Sequence, residues 1–312
     1  MKYVFFSTIL KMLPIILLVP LGFILKKLKF IKKESIEDIK KLVINIALPC
    51  LIYIGFYKLN FQRKFLVLIL TISLVNILML FIGKLIGKVF NIQNPYFPLL
   101  FSSFEVGMMG YSMFTAIYGD NELGKFAIMD LGQTFFIFFI WMPLFMSKSD
   151  KKKNIKDTLK NFFTSPIVIA IFLGIITSLI SSESLYNSKI FLSLFDVINK
   201  LGSLTVPLIT IIIGYELEIN SSYIKLPIIT IVCRMTLLIF FSLAINKYII
   251  YSMLDLPKIY ENALFTMFIL PPSFTAPLFI KDDNEENRCY IVNTLSIGIL
   301  LSIVVFIFSM IF

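Results

Sequence analysis

The sequence predicts an all-α polytopic membrane protein of ten transmembrane helices, arranged as two inverted five-helix repeats with helices 4 and 9 broken. Three observations carry this expectation. Of 312 residues, 58% are hydrophobic and 15% charged, whereas a soluble domain has about half and a quarter. Apolar stretches near 20 residues recur along the whole length, the length a helix needs to cross a bilayer. The two halves also carry matching spans, one of them interrupted by Gly or Pro in each half.

The spans fall in order at 5–25, 39–57, 64–88, 97–118, 124–146, 165–182, 196–217, 223–250, 260–280 and 288–311. The runs do not alternate with period two, so they are not barrel strands. Helices then remain, because each backbone polar group in lipid must be paired within its own segment. The opening MKYVFFSTILKMLPIILLVPLGFILKK is too long in its apolar part for a secretory signal, and no small-residue cleavage site ends it. It reads as the first span.

The net charge is +10, from 29 basic and 19 acidic residues. Nucleic-acid binding would need a basic face on a soluble domain, so no nucleic-acid partner is expected and the lysines read as topology signals. Five lysines lie in the loop 26–38 and six in the loop 147–163, SKSDKKKNIKDTLKNFF. These loops follow spans 1 and 5, hence share a side, and basic residues mark the cytoplasmic side. Both termini are then extracytoplasmic, in a multi-pass protein of the cytoplasmic membrane whose surroundings are lipid.

The chain has no histidine, which removes His relays, His metal ligands and Ser–His or Cys–His catalytic pairs. Cys50, Cys233 and Cys289 are widely spaced and read as small core residues. No nucleotide loop, metal cluster or nucleophile–base pair is visible, so no catalytic residue, metal or cofactor is expected and the chain does not read as an enzyme.

The basic loop 147–163 separates a first repeat, 1–146, from a second, 164–312. ALPCLIYIGFYKL, 47–59, aligns without a gap on TVPLITIIIGYEL, 205–217, pairing Pro49 with Pro207, Tyr57 with Tyr215 and Leu59 with Leu217. The broken pair is SSFEVGMMGYSMF, 102–114, and FILPPSFTAPLF, 268–279. Proline removes an amide donor and clashes with the preceding turn, and glycine weakens a helix by about 1 kcal/mol. Free backbone groups at bilayer depth survive only where they line a cavity or are buried in protein. Five spans per half is odd, so the second half enters from the opposite side. Inverted repeats with broken helices typify secondary transporters. Proline and glycine are also common in membrane helices without such a role.

The quoted blocks resemble the auxin efflux carrier family of bacterial malate permeases and plant auxin exporters over nearly the whole chain. LVINIALPCLIYIGF resembles its second span, GMMGYSMFTAIYGDNELGKFAIMDLGQTFFIF its fourth and fifth, SPIVIAIFLGII its sixth, LTVPLITIIIGYEL its seventh and LPPSFTAPLFI its ninth. The resemblance implies helices 4 and 9 unwound at a crossover. It implies a scaffold of helices 1, 2, 6 and 7, a mobile bundle of 3–5 and 8–10, elevator-like alternating access and a homodimer formed through the scaffold. It implies a small organic anion as substrate, of which the dicarboxylate malate is an example. The family's fourth span commonly reads N-x-G-x-x-G-x-P; here it reads Glu105-Val106-Gly107-Met108-Met109-Gly110-Tyr111-Ser112. Glu105 stands where Asn is usual and Ser112 where Pro is usual. An ionised Glu would repel a carboxylate that an amide could bind.

Ionisable groups inside spans cost about 2.5–3.5 kcal/mol at mid-bilayer on insertion scales and usually have a function. Glu105 reads either as a neutral group bonded between helices or as a site for a coupling proton, with sodium the lesser alternative. Asp130, Gln133 and Thr134 share one face of span 5, which either meets helix 4 or, at Asp130, reaches the membrane surface. Arg234 could bind a substrate carboxylate bidentately, or pair with Glu105 or Asp130. The expected substrate and ion site comprises Glu105, Gly107, Gly110, Tyr111, Ser112, Asp130, Gln133, Arg234, Pro271, Pro272 and Ser273, with Asn45 and Asn293 as further lining groups, although membrane asparagines often only link helices. Two other readings stay open: a cation-coupled carrier of the bile-acid symporter type with Glu105 as ion ligand, and a membrane binding protein without transport.

Overall fold

A computed structural model of the protein describes residues 13, 17–57, 62–148, 160, 163–180, 188–279 and 285–309. Most of the basic loop 147–163, the start of the first expected span and residues 281–284 of the acidic loop lie outside them. Every regular element among the described residues is helical and no strand occurs there. In chain order these are α1 (17–27), α2 (Lys33–Phe56), α3 (Lys64–Val89), α4 (Phe97–Phe101), α5 (Val106–Gly110, continued by Tyr111–Tyr118), α6 (Asp120–Phe145), α7 (Pro166–Ile180), α8 (Lys189–Ser203), α9 (Thr205–Glu216), α10 (Lys225–Tyr251), α11 (Lys258–Ile269) and α12 (Glu285–Ser309). Among the described residues, six helices are long and apolar enough to cross a membrane: α2, α3, α6, α8 continued into α9, α10 and α12.

Two starts differ from expectation. Helix α2 begins at Lys33 rather than 39, because KESIEDIKKL is amphipathic: it buries Ile36 and carries Glu34 in its first turn, where an acid suits the helix dipole. Helix α8 begins at Lys189, again as an amphipathic helix, and runs into α9 at Thr205. Hydropathy marks where lipid begins; a helix can start earlier in water.

Helix α3 lies along α6, α7 and α8 lie along α2, and α10 lies against α11 and α12. Close approach is set by glycines at particular points. A Cβ on Gly132 of α6 would sit 2.3 Å from the Ile69 carbonyl oxygen of α3. Helices α1 and α9 fit each other reciprocally: a Cβ on Gly22 would lie 2.1 Å from Ile211 O, and one on Gly214 1.9 Å from Val19 O. No side-chain rearrangement relieves a clash with backbone.

The two expected broken spans are interrupted. Helix α4 stops at Phe101, and residues 102–105 are non-helical before α5 opens with a π turn. Helix α11 stops at Ile269; Leu270 is extended (φ −64°, ψ 151°) and helical bonding resumes only in a single turn, Ala276–Phe279.

Gly214→Ala is expected to lower the unfolding temperature in detergent by an amount typical of overpacking, about 1–3 kcal/mol. Gly87→Ala, where the nearest atom to a Cβ is 3.6 Å away, is the control expected to leave it unchanged.

Candidate functional site

Residues 102–105 and 270–274 run past each other, and each completes the other's backbone. The Glu105 N–H donates to Pro271 O at 2.8 Å, and the Ser273 N–H donates to Ser103 Oγ at 3.2 Å. Pro271 has no N–H to offer a helix, and its carbonyl finds a donor in the opposite segment.

Glu105 stands at the start of α5, 6% exposed. Its carboxylate takes two backbone donors from two segments: Met108 N–H to Oε1 at 3.0 Å and Phe274 N–H to Oε2 at 2.6 Å. The first is an N-cap bond, in which a carboxylate satisfies an orphan donor at the positive end of the helix dipole. The second ties α5 to the other broken segment.

Arg234 of α10 is wholly buried. One terminal guanidinium nitrogen donates to Leu270 O at 2.6 Å and the other to Ser103 O. The guanidinium carbon lies 5.1 Å from the centroid of the Phe104 ring, which stacks on Phe268 at 5.3 Å. None of the described carboxylates forms an ion pair with Arg234. Of the roles open in the sequence, pairing with Glu105 or with Asp130 is therefore not what the structure shows.

The face of α6 meets the crossing. Gln133 Nε2 donates to Phe104 O at 2.8 Å, while its Oε1 is buried without a partner among the described residues. Asp130 is buried, 5% exposed, rather than solvated, and its Oδ2 accepts from the Tyr111 hydroxyl at 2.8 Å. Gly110 makes room for Leu270, whose Cδ1 would be 2.8 Å from a Cβ there, whereas Gly107 meets only Glu105 Oε1 at 3.5 Å. Ser112 Oγ donates within α5, toward Met108 O and Met109 O. Pro271 lies against Gly298 of α12, Pro272 is buried, and Ser273 Oγ pairs with Thr275 Oγ1 at 3.0 Å.

Two expected lining residues turn elsewhere. Asn45 is exposed on α2 and donates to Lys41 O of its own helix. Asn293 of α12 is buried, but its side chain holds the connection between α9 and α10 through Asn220 N, Asn220 O and Tyr223 O. Sequence reasoning missed Ser103, Phe104, Phe268 and Phe274. The polar run SSFE was a usable signal for Ser103; backbone donors and acceptors leave none.

A cavity of about 400 Å³ reaches Phe274 and is bordered by Lys26, Lys33, Lys40, Glu216 and Arg288. Lys40 and Glu216 form an ion pair of 2.5 Å between α2 and α9, and Lys26 Nζ donates to Leu217 O at 3.1 Å.

Long apolar helices, with two shorter ones ending at a crossing of irregular backbone that is buried in protein, fit a multi-pass membrane protein. Residues 7–312 match the family described as Membrane transport protein, and the chain belongs to it, the auxin efflux carrier family. It is 26% identical over 213 residues to the uncharacterized transporter MJ1031 of Methanocaldococcus jannaschii, covering 65% of this chain and 67% of that one.

Removing either partner of the Tyr111–Asp130 bond is expected to destabilise by about 1–3 kcal/mol, the cost of an unmet buried polar group. In a double-mutant cycle, Tyr111→Phe with Asp130→Asn should cost less than the sum of the single changes; additive unfolding free energies would mean that the bond contributes nothing.

Proposed function

We propose that the protein is a secondary active transporter that carries a small organic anion, such as the dicarboxylate malate, across the cytoplasmic membrane by elevator-type alternating access, with a proton exchanged at Glu105. The observation that carries this reading is the pair of backbone amides on the Glu105 carboxylate, one from each broken segment. Half-helix N-termini are where transporters hold a substrate carboxylate. An ionised Glu105 keeps those donors to itself and repels a second anion. A protonated Glu105 is a weaker acceptor, and the Met108 and Phe274 amides become available. Substrate anion and proton then travel together, and one substrate carboxylate replaces the Glu105 charge at the amides instead of adding to it. The cavity that reaches Phe274 is bordered by Lys26, Lys33, Lys40 and Arg288 and also by Glu37, Glu216 and Glu218, with Lys40 paired to Glu216, so it offers a route of mixed charge.

The ten-helix inverted repeat belongs to the same proposal. Gly174 of α7 abuts Tyr53 O of α2, and Gly22 of α1 abuts Ile211 O of α9. In the register that pairs Pro49 with Pro207, Tyr53 is the counterpart of Ile211. Two packing contacts thus recur at equivalent positions, which supports the repeat. Helices α1, α2 and α7–α9 form the scaffold in this reading, and α3–α6 with α10–α12 form the moving body. Gly55 of α2 lies against Gly124 of α6, a contact of small residues suited to sliding. The lysine-rich loops 26–38 and 147–163 are cytoplasmic, both termini are extracytoplasmic, and two copies pair through the scaffold.

The test is uptake of labelled malate and other carboxylates into proteoliposomes after a pH jump. Wild-type protein is expected to accumulate substrate when the outside is acidic. Glu105→Gln should lose at least about tenfold of the gradient-driven component, the lower end of what a coupling free energy of a few kcal/mol implies, while exchange without a gradient persists. Full proton-driven uptake in Glu105→Gln sinks the coupling role.

A further inference from the structure

Helices α4 and α11 both end at the crossing, and a helix C-terminus leaves carbonyl oxygens unpaired at the negative end of its dipole. Where such ends converge on a cavity inside a membrane, their carbonyls are suited to a sodium ion. Here two converging carbonyls, Ser103 O beyond α4 and Leu270 O beyond α11, both accept from Arg234. The side chain is fully buried with no carboxylate partner among the described residues, and the face of Phe104 covers it. Its Nε has no hydrogen-bond partner among the described residues, and there two carbonyl dipoles and the ring face the charge. The nearby Glu105 oxygens each hold an amide and do not complete a ring of oxygen ligands.

We infer that the Arg234 guanidinium is a resident counter-cation, fixed to the chain in the carbonyl seat of the crossing, which lets both broken segments hold their shape without a bound metal cation. Glu105 does the converse at the amide ends, so the crossing carries its own cation and its own anion. Resting on the proposed transport function, this makes sodium unnecessary as a coupling ion. The seat itself is a statement about structure and does not depend on transport.

Thermal unfolding of the full chain in lipid nanodiscs separates the two. Wild-type protein is expected to unfold at one temperature in sodium, potassium and choline chloride of equal ionic strength. Arg234→Lys, which keeps a charge, is expected to unfold above Arg234→Gln, which keeps donors without one. A sodium-specific rise in the wild-type unfolding temperature overturns the inference, and so does an Arg234→Gln protein as stable as Arg234→Lys. The salt series needs no variant, so it decides even where a substitution prevents folding. Neither readout involves flux, so a failure here leaves the transport proposal standing, and absence of malate uptake leaves the seat standing.

Discussion

Breaking a helix inside a bilayer frees backbone groups that water cannot reach, and the rest of this structure follows from how those groups are paired. Each unsatisfied group at such depth costs several kcal/mol. Two interrupted helices brought together solve the problem for each other: Glu105 N–H finds Pro271 O, Phe274 N–H finds Glu105 Oε2, and Ser103 contributes its Oγ to Ser273 N–H. Side chains from intact helices supply the remainder, Arg234 from α10 and Gln133 from α6. Close packing of α3 on α6, fixed by Gly132 against Ile69 O, is thus part of what holds Gln133 at the break.

The charges obey the same constraint. A helix N-terminus favours an anion and a C-terminus a cation, and α5 begins at the crossing while α4 and α11 end there. Glu105 sits at the first kind and Arg234 at the second. The two do not pair with each other, although both are buried at the crossing. Each is matched to dipoles and hydrogen bonds instead. A direct ion pair would have left the freed amides and carbonyls without partners.

Much of this was legible in the sequence, and the limits are physical. Glu105 and the Pro271–Pro272 pair stood out because charge and proline are costly in a membrane helix, and both fall at the crossing. Asp130 and Gln133 followed from helical spacing on α6. Arg234 was legible as a buried charge but not its partners, because sequence displays carboxylates and not carbonyls: Ser103 O and Leu270 O belong to every residue type alike. Asn45 and Asn293 show the reverse failure. Their amides looked like site groups, yet a polar side chain in a membrane helix is equally able to bond its own turn, as Asn45 does, or to hold a connection, as Asn293 does. Helix starts at Lys33 and Lys189 were misjudged because hydropathy registers lipid rather than hydrogen bonding.

The two breaks are unlike in origin. In the second segment, Pro271 and Pro272 both lack amide hydrogens, and two successive losses weigh against continuing α11, although a single proline, Pro49, lies inside α2. In the first, residues 102–105 contain no proline, and Ser112 bonds back to Met108 O and Met109 O as a serine in an ordinary helix does. Nothing covalent prevents this segment from winding into a helix continuous from Phe97 to Tyr118. What prevents it is tertiary: Ser103 O is held by Arg234, Phe104 O by Gln133, and Glu105 N–H by Pro271 O. The first break is therefore conditional on the second segment and on the two intact helices, α6 and α10, that flank it. The first segment is thus held open by tertiary hydrogen bonds, whereas the second also lacks the amide hydrogens of two prolines.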